Sequence, residues 1–508
     1  MKKMATIGIL GLAAVWLAGC GGAEGAATPT ATMTPVPTAT PTPFVPETIG
    51  IYEAEEAVLT GNVTAKTSET GEYSGTGYID GFQSDGDTAT FSISIPKTDF
   101  YDLSFRLSGI GGEKYNSVQI DGDSYGEVHA AGTTLASDTL TRVYLTAGDH
   151  TVAVSKSWGW INLDSLTVLT AEPVDPAMYE VSKKLSNPDA SEITKRLFSY
   201  LADIYGEKIL SGQVCDEGMY GKEMAVIKNT TGKTPAVLGL DLMGYTPSRV
   251  ENGDSSKMVE NAISFWENGG IVEVHWHWNA PSRYLKDPWY SGFYAQYTTI
   301  NLKKIMDGED TEGYELLMAD IDAIAAQLLR LKEAGVPILF RPLHEAAGGW
   351  FWWGASGSEA YLKLYRLLYD RLTKEYGLDN LIWVWNGQAK DWYPGDAYVD
   401  IIGQDIYPGE HVYTSQASTY FETASWSTER KMVYLTECGC IFDPELAYRD
   451  GAMWGMWAVW QGEFVRKDIA FAKLSEQYTE KDMMIKAYED ERVLTLEELP
   501  DFSTYPLE

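Results

Sequence analysis

PILFRPLHEAAGGWFWWG, residues 337–354, begins as an apolar run, closes it with Arg341, His344 and Glu345, and then sets Trp350, Phe351, Trp352 and Trp353 beyond that Glu. A short continuous apolar run is the pattern of a strand buried on both faces. Polar residues gathered at its end mark a rim where chemistry can be placed. Seven further runs share the pattern: KILSGQV, PAVLGLDL, GIVEVHWHW, NLIWVWNG, DIIGQDIY, MVYLTECG and AMWGMWAVW. Amphipathic segments lie between them. One carries Leu317, Ile321, Ile324, Leu328 and Leu331 and stops at Gly335; another carries Tyr361, Leu364, Tyr365, Leu368 and Leu372 and stops at Gly377. Eight such runs with helices between them, over about 300 residues, predict a (β/α)8 barrel whose reactive groups collect at the C-terminal ends of the strands.

Upstream the period changes to two. TATFSISIP alternates Phe91, Ile93 and Ile95 with small polar residues, and YDLSFRLSG alternates Tyr101, Leu103, Phe105 and Leu107. Turn clusters such as DGDS and TAGDH separate these runs, so residues 49–171 are expected to form an all-β sandwich of jelly-roll type. A linker is expected over 172–190, the barrel over 191–490 and a C-terminal tail over 491–508.

The N-terminus reads MKKMATIGILGLAAVWLAGC: two lysines, a short apolar run and small residues ending at Cys20. This is the pattern of a secretory signal over 1–20, too short to span a bilayer. The LAGC tail resembles a bacterial lipobox, which implies lipidation of Cys20 and a chain anchored at the outer, extracellular face of a membrane. Residues 21–48, rich in Thr, Pro and Ala, should then form an extended tether. A signal peptide cut elsewhere is the alternative. Cys215, Cys438 and Cys440 remain, too few for a disulfide scaffold and too few for a tetrahedral zinc site.

Composition narrows the partners. The chain of 508 residues carries 72 acidic against 39 basic residues, a formal charge of −33, which opposes nucleic acid and anionic lipid and suits a neutral substrate. The same charge also serves solubility. With 17 Trp and 31 Tyr there is a surplus of flat rings, and such rings stack on the apolar faces of sugars.

The strand ends concentrate the chemistry. His275 and His277 close the third run, Glu345 the fourth, Asp405 and Tyr407 the sixth, and Glu437 the seventh. Glu345 and Glu437 come from nonadjacent strands and are placed to face each other across the barrel mouth. Glycoside hydrolysis needs such a pair, one carboxyl donating a proton and the other attacking or activating water. Trp350, Trp352 and Trp353 offer a stacking wall that would also desolvate Glu345, with one or two of the rings expected in the core. Two His at i and i+2 could hold a metal only with further His and Asp ligands from later strands. Hydrogen bonding to sugar hydroxyls is the reading preferred for them, with a structural role for His275.

On these motifs the segment 180–490 resembles glycoside hydrolase family 26, best known for endo-β-1,4-mannanases: RPLHE followed by Trp350, then GQDIY, then YLTECG. The resemblance implies a retaining mechanism without a catalytic cofactor, Glu345 as acid/base and Glu437 as nucleophile. It further implies that His344 orients the nucleophile's side, His277 contacts the sugar at the cleavage subsite, Asp405 belongs to the substrate-binding set, Trp350 lines the far side, Tyr407 hydrogen-bonds the nucleophile and Trp460 floors the −1 sugar. Gln461 stands where some relatives carry Arg. The sandwich resembles carbohydrate-binding module family 35. YEAEEA and WINLDSLTV imply Glu53, Glu55 and Asp164 as ligands of a structural Ca2+, and Tyr115, Asn116 and Trp158, on loops, as sugar contacts; Trp160 is either a stacking ring or core.

The expectation is a surface-tethered, monomeric endo-β-mannanase acting on mannan, glucomannan or galactomannan. Mixed-linkage β-glucanase or β-1,3-xylanase activity is the nearest alternative, and a noncatalytic glycan-binding lipoprotein the next.

Overall fold

The computed structural model describes residues 44–67, 73–467 and 472–507. The signal sequence, Cys20 and nearly all of the expected tether fall outside the described residues.

The eight apolar runs become eight parallel strands in one closed barrel: β1 Gly212–Val214, β2 Val237–Asp241, β3 Ile271–Trp276, β4 Ile338–Pro342, β5 Leu381–Trp385, β6 Ile401–Ile406, β7 Met432–Cys438 and β8 Trp457–Val459. Closure is made by Gln213 of β1 pairing with Val459 of β8. The helical stripes lie where their period puts them. Leu317, Ile321, Ile324, Leu328 and Leu331 are buried on the helix Thr311–Glu333, and Gly335 follows in the left-handed conformation. The helix Ser358–Tyr369 continues through a π-helical turn, Asp370–Glu375, and buries its apolar stripe likewise. Cys215, Cys438 and Cys440 are free and buried.

The upstream region forms two antiparallel sheets. One runs Thr64–Thr67, Gly77–Asp80, Ile161–Thr170, Asp99–Gly109, Ala136–Leu145, with Thr48–Glu53 also paired to Ile161–Thr170; the other runs Val58–Thr60, Thr88–Ile95, Gly148–Lys156, Lys114–Ile120, Asp123–Ala130. Phe91, Ile93 and Ile95 from one sheet and Tyr101, Leu103, Phe105 and Leu107 from the other are all buried in a shared core.

Two expected segments differ. The segment 172–190 is packed: Tyr179 donates to the Gly451 carbonyl and Ser186 N–H to Asp400. The described part of the expected tail over 491–508, residues 491–507, is packed: Val493–Leu494 pairs with Ile209–Leu210 and Phe502 is buried against the barrel's helices. Both segments carry apolar residues too few to show a period, so only the tertiary partner reveals their burial. The sandwich also docks directly. Arg142, with left-handed backbone, donates to the carbonyls of Asp450 and Glu172 and lies over the rings of Phe100 and Phe421.

Candidate active site

The C-terminal rim of the barrel gathers the strand-end residues. One carboxylate oxygen each of Glu345, Asp405 and Glu437 lies within 4.8 Å of the others. Glu437, on β7, is 3% exposed. Its Oε1 accepts from the Arg341 guanidinium at 2.6 Å and its Oε2 from the Tyr407 hydroxyl at 2.7 Å. A register shift between β6 and β7 at Gln404/Asp405 turns Asp405 toward Glu437.

Glu345 sits just past β4 in a stretch where Leu343 and Glu345 both have positive φ, 55° and 53°. Non-glycine residues adopt that backbone at a cost of about 1–3 kcal/mol, and it recurs where a side chain must be aimed. The Glu345 N–H is anchored on the Asn386 carbonyl at 2.7 Å, and Trp350 Nε1 donates to Glu345 Oε2 at 3.0 Å. Burial first, then repulsion from Asp405 and Glu437, pushes the Glu345 carboxyl up to about 9. It therefore stays protonated at neutral pH while Glu437 is held by a guanidinium. A protonated carboxyl facing a second carboxyl that is held by hydrogen-bond donors is the arrangement acid-assisted glycosidic cleavage uses. One oxygen of each carboxyl comes within 4.8 Å of the other, a close approach of the kind double displacement uses.

The rings divide between surface and core. Trp350 is 48% exposed and faces the cleft, whereas Trp352 and Trp353 are buried. Their indole N–H groups are spent inside: Trp352 donates to the Trp278 carbonyl and Trp353 to the His344 carbonyl, fixing the loop that carries Glu345. Trp460 lies half-buried beyond β8, its ring 5.5 Å from His275 and 5.8 Å from His277.

Two expectations on this rim are corrected. His344 does not reach Glu437 by any hydrogen bond; its Nε2 meets His277 Nε2 at 3.3 Å, and it is buried, because the turn past β4 aims it toward β3. Burial, then the neighbouring His277 and Arg341, holds His344 well below the usual imidazole range. A neutral imidazole is therefore what faces His277, whose Nδ1 contacts Asp241 at 2.7 Å. Asp405 is no open sugar-binding group: Oδ1 accepts from Asn386 and Thr436 at 2.6 and 2.8 Å, and Oδ2 from Arg341 at 3.1 Å. Burial and then Glu437 raise its carboxyl to about 7. Of the three rings, two are core, as expected for one or two of them, and Trp350 alone of the three is left at the cleft.

Sequence reasoning passed over Glu273, Asp241 and Asn386. The signal for Glu273 was present, since GIVEVHWHW places Glu, His and His at i, i+2 and i+4 on one strand face. Tyr294, in the segment DPWYSGFYAQY, pairs with Phe351 in an isolated bridge, and its phenol is raised by burial and then by both Glu345 and Glu437, so it stands at the same mouth.

On the sandwich, Trp158 is 65% exposed and Trp160 53% exposed, which settles Trp160 as a surface ring. The Tyr115 ring stacks on His129 with centroids 4.3 Å apart and lies 6.4 Å from the Trp158 ring with planes 10° apart. Tyr115 and Asn116 occupy the strand Lys114–Ile120 and not a loop, so their side chains alternate: Tyr115 turns outward while Asn116 is fully buried, its Oδ1 accepting from Ser157 N–H. Asn116 is thereby removed from direct sugar contact. Near the other edge, Glu53 Oε2 and Asp164 Oδ2 share the Ser74 hydroxyl at 2.7 and 3.0 Å. Glu55 Oε1 accepts from Thr76 and Gly77, while its Oε2 is buried without a partner among the described residues. Asp164 also pairs with Arg106 at 2.5 Å.

Comparison with known proteins follows this division. The family model of glycosyl hydrolase family 26 matches residues 186–486, and that of carbohydrate binding module family 35 matches residues 50–171. A mannan endo-1,4-beta-mannosidase of Thermothelomyces thermophilus is 40% identical over 453 residues, covering 88% of this chain and 90% of that one. Mannan endo-1,4-beta-mannosidase B of Piromyces sp is 34% identical, covering 89% and 77%. The crystal structure of a Podospora anserina GH26-CBM35 beta-(1,4)-mannanase superposes with a TM-score of 0.62 at 40% identity, covering 90% of this chain and 99% of that one. The first matched segment holds every residue of the carboxylate rim and the second holds Trp158 and Trp160, so the chain belongs to glycosyl hydrolase family 26 and carries a family 35 carbohydrate-binding module ahead of its barrel.

Proposed function

We infer that the chain is a retaining endo-β-1,4-mannanase that hydrolyses mannan-type polysaccharides. The observation that carries this is the rim of a family 26 barrel on which a protonated Glu345 and a guanidinium-held Glu437 stand within 4.8 Å of each other. The mannan specificity rests on its 40% identity to a mannan endo-1,4-beta-mannosidase. In the reaction Glu437 attacks the anomeric carbon while Glu345 gives its proton to the departing oxygen. Once that proton is gone, Glu345 takes one from water, which releases the glycosyl-enzyme with the original anomeric configuration. Trp460 floors the −1 sugar, His277 bonds its hydroxyls, and Trp350 stacks on the leaving side.

Tyr115, Trp158 and Trp160 on the sandwich capture the polymer near the barrel. A Ca2+ fits at the module's other edge: Glu53 and Glu55 approach each other across Gly75, and Glu55 Oε2, without a partner among the described residues, is a hard oxygen donor suited to a cation. Asp164, already paired with Arg106, joins them through Ser74. The ion would tie the first strand of the module to its last. A chelator should lower the temperature at which the module melts, and Ca2+ should restore it.

The LAGC sequence supports lipidation of Cys20 and tethering of the monomer at the cell surface. Cys20→Ser should release the protein from the membrane fraction, and light scattering should give the mass of one chain.

The deciding experiment incubates the protein lacking residues 1–20 with mannan, mixed-linkage β-glucan and β-1,3-xylan and follows released reducing ends. Release from mannan that vanishes in Glu437→Ala is expected. Release from another glycan alone would overturn the sugar, and release from none would overturn the activity.

A further inference from the structure

We infer that Glu273, buried in the barrel wall and touching no sugar, is a positioning residue that limits how much of Arg341's positive charge reaches the Asp405–Glu437 pair, with His275 opposing it. The inference rests on the glycosidase reading above and adds a residue to it.

Glu273 lies in mid-strand on β3, fully buried. Arg341, on the adjacent β4 and also fully buried, donates Nε to Glu273 Oε1 at 2.9 Å, one terminal nitrogen to Asp405 Oδ2 at 3.1 Å and the other to Glu437 Oε1 at 2.6 Å. Three carboxylates thus share one guanidinium in a low-dielectric wall. Glu273's second oxygen faces His275 Nδ1 at 3.1 Å, and His275 Nε2 faces Asp241 at 3.8 Å. Against burial, which works the other way, Glu273 and then Asp241 raise His275 to about 9, so it stands as a cation. The backbone of β2 leaves room for this: a Cβ on Gly239 would lie 3.0 Å from Glu273 Oε2.

Packing alone gives no reason for a carboxylate here. Replacing a buried ion network by apolar groups of similar volume is often neutral or stabilising. The arrangement does have an electrostatic consequence. An Arg341 bonded to Asp405 and Glu437 only would hold them more firmly ionised and make the attacking carboxylate less basic. Glu273 draws off part of that hold, and His275 returns part of it. The other titratable groups facing the pair are the Tyr407 and Tyr294 phenols, the buried Cys438 thiol and the Glu345 carboxyl; Asn386 and Thr436 donate to Asp405, and His344 meets His277.

The test compares Glu273→Gln, His275→Gln and the double variant with the parent, measuring kcat/KM against pH on a soluble manno-oligosaccharide and the melting temperature of each. The acid limb reports the carboxyl that must be ionised for attack. Glu273→Gln removes a negative charge and should move that limb down by about one pH unit, the scale of one charge acting at a few ångströms. His275→Gln removes a positive charge and should move it up, and the double variant should return toward the parent even if it melts lowest. Limbs that do not move, or that move the same way in both single variants, would overturn the inference and leave a structural role. Should Glu273→Gln fail to fold, His275→Gln decides alone, and no upward movement overturns it. A parent that does not cleave the oligosaccharide defeats the functional reading itself, a result distinct from an active parent with unmoved limbs.

Discussion

The barrel mouth and the sandwich edge meet a neutral sugar by opposite means. At the mouth, charge is concentrated and hidden: Glu437 is 3% exposed, Arg341 is fully buried, and each is held by several side chains. At the sandwich edge Trp158 and Trp160 stand 65% and 53% in solvent. The difference follows from the work each does. Proton transfer and nucleophilic attack need carboxyls whose protonation states differ, and only desolvation and close neighbours produce that difference. Holding a sugar ring needs flat apolar area in reach of solvent, where desolvation on binding contributes the affinity.

Substitutions can separate the two regions. Glu437→Ala should lower kcat on mannan by at least about 10^4-fold, the scale for deleting a nucleophile, yet leave retention on insoluble mannan intact. Loss of both would mean that the mouth and the edge are not independent. Glu345→Gln should lower kcat by roughly 10^2- to 10^4-fold, the contribution of a general acid. It should also abolish the alkaline limb of the pH profile. In the parent that limb should fall as pH rises through about 9, because the acid then loses its proton. An alkaline limb that persists in the variant would assign the proton to another group, with Asp405 the next to examine.

Trp158→Ala should weaken binding to insoluble mannan by about 2- to 10-fold, from the loss of one stacking contact, while cleavage of short soluble oligosaccharides stays unchanged. A matching fall in cleavage of the short substrates would show that the edge contributes to the catalytic cleft. The smallest effect concerns a carboxyl on the helix Thr311–Glu333 that chemistry does not use. Asp320 is buried, accepts from Trp278 Nε1 at 2.7 Å, and is pushed by burial up to about 7. Since its folded value lies above the unfolded one, the protonated form favours folding, and that stability is lost as pH rises through about 7. Asp320→Asn, which keeps an acceptor for Trp278, should therefore raise the melting temperature by roughly a few degrees at pH 8 and by nothing at pH 4, as measured by calorimetry.

Local pattern and tertiary structure determined different things here. Eight apolar runs with amphipathic helices between them, and a period of two upstream, were enough for a barrel and a sandwich, because burial of a strand or a helix face imposes its own periodicity on the residues. The rim position of Glu345 and Glu437 was equally legible, since a parallel barrel sends every strand end to the same face. Where a side chain points after a turn was not legible. The left-handed backbone at Leu343 and Glu345 decides that His344 meets His277 and not Glu437. Strand alternation turns Asn116 inward beside an outward Tyr115, and Trp352 and Trp353 go to the core while Trp350 stays at the cleft. The sharing of Arg341 among Glu273, Asp405 and Glu437 was beyond reach for the same reason. Those residues come from four different strands, and only closure of the barrel brings their charges within hydrogen-bond distance.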